Sequence, residues 1–134
     1  MTKLVIDTNA LVWATTDAAK LGRRARREIE KSVGQRKAHV SAVSFWETSL
    51  LDHRQRLKLG MTTVKWRQGV LASGIVELPL TGLEAIDAAM IEGLPDPADR
   101  FIVATARVAH ARLVTADQRI LSWKGDLDRL DAQS

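Results

Sequence analysis

Cysteine and tyrosine are both missing from this 134-residue chain. Without cysteine there are no disulfides, no thiolate nucleophile and no zinc–thiolate site, which fits an intracellular setting and leads us to expect a cytoplasmic protein. No apolar run approaches the ~18 residues that read as a membrane span, so no membrane association is expected. The opening "MTKLVIDTNALVWATTD" is interrupted by Asp7 and has no cleavage-site pattern, so no signal peptide is expected either. Internal repeats, low-complexity stretches and linkers are lacking, and the length suits one domain over residues 1–134 with a real core. Histidine is scarce: His39, His53 and His110 stand alone without ligand spacing and take structural or surface roles.

What is present is ordinary in bulk, with 46% hydrophobic and 27% charged residues. The net charge of +4 permits an anionic partner without demanding one. Basic residues gather in "RRARR" (Arg23 to Arg27) and "HRQRLK" (His53 to Lys58). Such clusters are ordinarily solvated helix faces, and only a nearby site gives them more meaning.

Short β-branched runs at "KLVID" (3–7), "AHVSA" (38–42), "GIVELPL" (74–80) and "ARLVT" (111–115) read as buried strands. Helical spacing marks "SFWETSLLDHRQRLKL", with Trp46, Leu50, Leu51, Leu57 and Leu59 on one side. It also marks "DRFIVATARVAHA", with a stripe of Phe101, Ile102, Thr105, Val108 and Ala109. Further helices are expected around 23–32, 62–73, 83–92 and 116–123, and Gly60, Gly74 and Gly82 fall at junctions. Strands alternating with helices imply a parallel sheet with crossover helices, an α/β sandwich. The polar tail "KGDLDRLDAQS" is compatible with a last edge strand or with coil.

The chemistry lies in the acids. Ligands of an open parallel sheet bind beyond the carboxyl ends of its strands. Asp7 ends the first strand, Glu47 follows the second, Asp96 and Asp99 open the helix before the 111–115 strand, and Asp117 follows that strand. Each also has a local reading. Ser44 to Glu47 matches a capping box, Asp96-Pro97 reads as an N-cap with proline at N1, and Asp99 at N3 suits the helix dipole. Thr115 can cap the next helix with Asp117 in its first turn. Asp7 fits a capping role least, because a carboxylate at the end of a hydrophobic strand needs a partner or a cation. Taken jointly, converging carboxylates must be protonated, paired or bridged by a cation. Hard oxygen ligands suit Mg²⁺ or Mn²⁺, whose chemistry with water is phosphodiester hydrolysis.

Four stretches in order, "LVIDTNALVWA", "SAVSFWETSLL", "DPADRFIVATA" and "LVTADQRI", resemble the motifs of PIN-domain ribonucleases, most of all the VapC-type toxins of toxin–antitoxin pairs. The resemblance spans Lys3 to about Trp123. It implies a three-layer α/β/α sandwich around a short parallel sheet and Mg²⁺- or Mn²⁺-dependent endonucleolytic cleavage of RNA. It also implies a homodimer and an antitoxin partner lying over the helical groove and active site. Carried over, it assigns catalysis to Asp7, Glu47, Asp99 and Asp117, and metal binding to Asp7, Asp99 and Asp117. Asp96, Thr8, Asn9, Ser44 and Thr115 take auxiliary places. Arg23, Arg24, Arg26, Arg27, Arg54, Arg56, Lys58 and Arg100 become candidates for contact with RNA. Leu94 stands where many relatives carry a polar residue or histidine.

With only 4% aromatic residues, backbone and shape contacts are expected to outweigh base stacking. Trp46 is expected in the core with a groove-lining role as alternative, and Trp13 and Trp66 in the core or a partner groove. A PIN-like module that binds RNA or a partner without cutting is the alternative function. A pure binder of polyanions has little reason to gather four acids in its cleft. A receiver-like domain would need a phosphoacceptor aspartate ending a central strand, and "AHVSA" and "GIVELPL" have none.

Overall fold

The computed structural model describes residues 2–134. Its strands are β1 (Leu4–Ile6), β2 (Ala38–Ser41), β3 (Val76–Leu78), β4 (Arg112–Thr115) and β5 (Arg129–Asp131). Its helices are α1 (Thr8–Thr16), α2 (Arg23–Gly34), α3 (Ala42–His53), α4 (Thr63–Ala72), α5 (Gly82–Ala89), α6 (Pro97–Val108) and α7 (Gln118–Leu121), with a 3-10 turn at Ala18–Lys20. The strands form one parallel sheet in the order β3-β2-β1-β4-β5. The chain therefore starts in the middle, builds outward through β2 and β3, then crosses to the other side of β1. The order reverses between β1 and β4, and that reversal opens a crevice above their carboxyl ends.

Two apolar clusters make the three layers. Leu4 and Ile6 of β1 face one, with Leu11 of α1, Ile29 of α2 and Trp66 and Val70 of α4. Val5 faces the other, with Ile102 and Val103 of α6, Leu113 of β4 and Ile120 of α7. The alternation of β1 between them is the period-two pleat of a strand covered on both faces. Among the described residues no helix is long and apolar enough to cross a membrane.

The four expected strands form, slightly shorter than their apolar runs, and the tail supplies β5, the edge-strand alternative. Helix α1 escapes sequence reading because "TNALVWATT" carries no polar–apolar period: Thr8, Ala10, Leu11 and Val12 are all buried. Helix α3 corrects two expectations. Ser41, not Ser44, caps it, accepting from the Val43 amide at 3.2 Å, so no capping box forms between Ser44 and Glu47. Strand β2 runs straight into this helix, which starts earlier and turns Val43, Ser44, Phe45 and Thr48 inward. Trp46 is thereby 58% exposed instead of buried. The helix stops at His53, and Gln55 takes a left-handed conformation (φ 57°), so Leu57 and Leu59 belong to the following loop. A capping box does occur on α5, between Thr81 and Glu84. Trp66 is in the core, and Trp13 packs against it half-buried. Gly74, which joins α4 to β3, has a φ of 104° that side-chain-bearing residues rarely adopt.

Candidate active site

Pairing of β1 with β4 sets Ile6 beside Val114, so Asp7 and Thr115 emerge together at the crevice. Asp7, the acid expected to fit a capping role least, does cap α1, because the helix starts directly after β1, and it is 5% exposed. Its Oδ1 accepts from the Thr8 amide at 2.8 Å, and its Oδ2 accepts from the Thr115 hydroxyl at 2.7 Å. Thr115 Oγ1 in turn accepts from the Asp117 amide at 3.0 Å. One hydroxyl thus ties the end of β4 to the acid at the end of β1 and to the acid that caps α7. Asp117, not Thr115, is that cap: its Oδ1 accepts from the Arg119 amide at 2.8 Å, and α7 is shorter than its apolar pattern suggests.

On the other side of β1, α3 follows β2 and presents Ser44 and Glu47 one turn apart. The Thr8 hydroxyl donates to Glu47 Oε1 at 2.6 Å and lies 2.9 Å from the Ser44 hydroxyl. From the opposite layer, Asp96 caps α6 by accepting from the Ala98 amide at 3.0 Å, with Pro97 at the first helical position. Asp99 follows in the first turn and is 7% exposed. Carboxylate oxygens of Glu47, Asp96 and Asp99 lie within 4.8 Å of one another.

This crowding changes the acids. Burial pushes Asp99 up to about 7, reinforced by the charges of Asp117, Asp7, Asp96 and Glu47. Burial also pushes Glu47 up to about 7, against the Thr8 hydrogen bond and with repulsion from Asp7, Asp96 and Asp117. Asp7 is raised by burial above all, although the Thr115 and Thr8 hydrogen bonds pull the other way. Burial and mutual repulsion both disfavour further negative charge here, and a divalent cation is the chemical partner that would relieve them.

A family model of the PIN domain matches residues 4–124. The chain is 32% identical over 126 residues to Ribonuclease VapC22 of Mycobacterium tuberculosis, covering 92% of this chain and 94% of that protein. The chain belongs to the PIN domain family, in its VapC type.

Solved structures agree on the fold. The DNA-bound VapBC structure from Salmonella typhimurium superposes with a TM-score of 0.73 at 16% identity, covering 98% of each chain. The FitAcB structure from Neisseria gonorrhoeae gives 0.64 at 17% identity, covering 96% of this chain and 97% of that one. The sandwich implied by the four motifs is therefore the fold of this PIN domain.

The structure sorts the predicted residues unevenly. Asp7, Glu47, Asp99 and Asp117 all act electrostatically on one another, and Thr8, Ser44 and Thr115 hydrogen-bond among them. Asn9 is exposed on the first turn of α1. The tightest triad contains Asp96, which sequence reading ranked as auxiliary, and leaves out Asp7 and Asp117. Arg100 is engaged with the chain itself: its Nε donates to the Leu94 carbonyl and its Nη2 to the Pro95 carbonyl at 3.2 Å. It braces the turn that delivers Asp96, a role with no signature in sequence. Arg24 and Arg26 pair along α2 with Glu28 and Glu30 at 3.6 and 3.2 Å. Arg23, Arg27, Arg54, Arg56 and Lys58 are exposed.

The donor set fits a hard divalent cation. It offers only carboxylate oxygens, three of them within coordinating reach, and two of its members are pushed up to about 7 by burial first and by mutual repulsion second.

Proposed function

We propose that this chain is an endoribonuclease, the toxin of a VapBC-type toxin–antitoxin pair, acting in the cytoplasm as one domain over residues 1–134. The observation that carries this reading is the convergence of Asp7, Glu47, Asp96, Asp99 and Asp117 on the β1–β4 crevice, with Asp99 and Glu47 both pushed up to about 7. Glu47, Asp96 and Asp99, with Asp7 and Asp117 behind them, would hold Mg²⁺ or Mn²⁺. When bound, such an ion orients and acidifies a water and neutralises charge developing on the phosphate oxygens.

The chain's own residues do the rest. Thr8 fixes Glu47 through Oε1, and a carboxylate held there would position the attacking water and accept its proton. Water oxygen bonds to phosphorus, the bond from phosphorus to the leaving ribose oxygen breaks, and that oxygen takes up a proton. Thr115 holds Asp7 in place through Oδ2, and Arg100 fixes the loop that presents Asp96.

Partner surfaces support the same reading. Leu83, Ile86 and Met90 form a stripe on α5 at i, i+3 and i+7 that is 67%, 69% and 76% exposed, the face we assign to a homodimer. An apolar groove lined by Ala14, Ile29, Val33, Met61 and Trp66 suits a segment of an antitoxin.

Purified Asp7→Asn protein, assayed on total cellular RNA with Mn²⁺ and with EDTA, tests the proposal. Wild type cuts only with metal, and Asp7→Asn does not cut while keeping its circular dichroism spectrum. Metal-dependent cleavage by Asp7→Asn at the wild-type rate would remove Asp7 from the machinery.

A further inference from the structure

The segments that deliver Asp96 and Asp117 also form the two walls of a separate cleft. One wall is the turn after α5, with Glu92 and Gly93 ahead of Leu94, Pro95 and Asp96. The other runs from α7 into the β5 connection, with Arg119, Ser122, Trp123 and Lys124. The cleft holds about 600 Å³ and begins two residues beyond Asp117.

Its walls are firmly built. Trp123 donates its indole N–H to the Glu92 carbonyl at 2.7 Å, joining one wall to the other. The ring lies against Gly125 so closely that a Cβ there would sit 2.1 Å from it, while one on Gly93 would sit at 3.4 Å. Arg129 fastens the second wall from beneath, donating to the carbonyls of Ile120 at 2.6 Å, Trp123 at 2.8 Å and Gly125 at 3.1 Å. Arg107 is committed too, to Asp87 at 3.1 Å and to the face of Trp123 at 5.9 Å.

Two cations here are left over. Arg119 and Lys124 are exposed, and neither side chain has a hydrogen bond or ion pair among the described residues. The one carboxylate of the lining is Glu92, so the cleft carries a net positive charge on the segments that lead into Asp96 and out of Asp117. A polyanion whose scissile phosphate sits over the acids needs compensation from fixed cations just beyond them, and this cleft supplies it. On α2, Arg24 and Arg26 are already paired with Glu28 and Glu30, which makes them a control for the charge effect.

We propose that this cleft is a subsite for the single-stranded RNA substrate, with Arg119 and Lys124 contacting backbone phosphates next to the cleaved one. The assignment rests on the ribonuclease reading above and names residues outside the basic clusters apparent in sequence.

The test compares wild type, Arg119→Ala/Lys124→Ala, the charge-keeping Arg119→Lys/Lys124→Arg, and Arg24→Ala/Arg26→Ala. Binding of a fluorescein-labelled single-stranded RNA of mixed sequence is followed by anisotropy in EDTA across a salt series. Cleavage of the same RNA, and of bis(p-nitrophenyl) phosphate, which is too small to reach the cleft, is followed with Mn²⁺. Arg119→Ala/Lys124→Ala is expected to bind RNA about tenfold or more weakly, with a salt slope reduced by about 2. Its KM for RNA should rise while kcat and hydrolysis of the small ester stay at wild-type values. The charge-keeping variant and Arg24→Ala/Arg26→Ala should bind as wild type does. Unchanged RNA affinity and salt slope in Arg119→Ala/Lys124→Ala would overturn the subsite. So would an equal loss on the small ester, or a loss that follows Arg24 and Arg26 instead. If wild type itself neither binds nor cuts RNA, the ribonuclease reading falls and the subsite with it.

Discussion

Asp99→Asn should make the metal-free protein more stable while destroying its use of metal. In the fold, burial and four neighbouring acids push the Asp99 carboxyl from 3.8 up to about 7. At about 1.4 kcal/mol per pKa unit, holding this group ionised above neutrality costs the fold about 4 kcal/mol. Asparagine fills the same space without the charge. It gives up a favourable interaction with the N-terminus of α6, which is worth less than about 1 kcal/mol. A net gain of about 2–4 kcal/mol at about pH 8 is therefore expected once neighbouring acids have relaxed. The sign with pH follows from proton uptake. Between about 4 and about 7 the folded protein keeps a proton on Asp99 that the unfolded chain has lost, so wild-type stability falls as pH rises through that window. The advantage of Asp99→Asn should accordingly vanish near pH 4 and level off above neutrality. Urea denaturation in EDTA at several pH values measures this directly. Added Mn²⁺ should stabilise wild type by mass action and leave Asp99→Asn nearly unmoved. An Asp99→Asn protein no more stable than wild type at about pH 8 in EDTA would refute the electrostatic account of the site.

Arg100→Ala leaves the part-buried Leu94 carbonyl without its donor and loosens the turn before Asp96. It should lose about 1–3 kcal/mol of stability in urea and need more Mn²⁺ for half-maximal cleavage. Thr8→Val removes the hydrogen bond that holds the Glu47 pKa down, so the acidic limb of the pH–rate profile should move to higher pH. Ile86→Glu places a charge in the exposed stripe of α5; if that face carries the proposed homodimer, sedimentation should show a dimer for wild type and a shift to monomer for the variant.

Much of the fold was legible along the chain because its buried strands are short β-branched runs flanked by polar segments, and helix α6 announced itself with Asp96, Pro97 and Asp99 in capping order. Legibility failed where tertiary contacts override local pattern. Helix α1 has no amphipathic period because it is packed into the core, and the phase of α3 is dictated by the strand feeding it, which turned Trp46 outward and moved the cap to Ser41.

By itself the sequence singled out the acids proposed for the chemistry, because carboxylates at the ends of hydrophobic segments carry their own physical signature. It determined the parallel sandwich as well, from the alternation of strands and helices. Only the tertiary structure decided how those acids group. Placing β1 between β2 and β4 brings Asp7 to Thr115 and Glu47 to Thr8, and the opposite layer lowers Asp96 and Asp99 onto Glu47. Which cations remain free was likewise settled in three dimensions. Arg100, Arg107 and Arg129 are spent on carbonyls, an aspartate and an indole, whereas Arg119 and Lys124 are not, and no spacing along the chain distinguishes them.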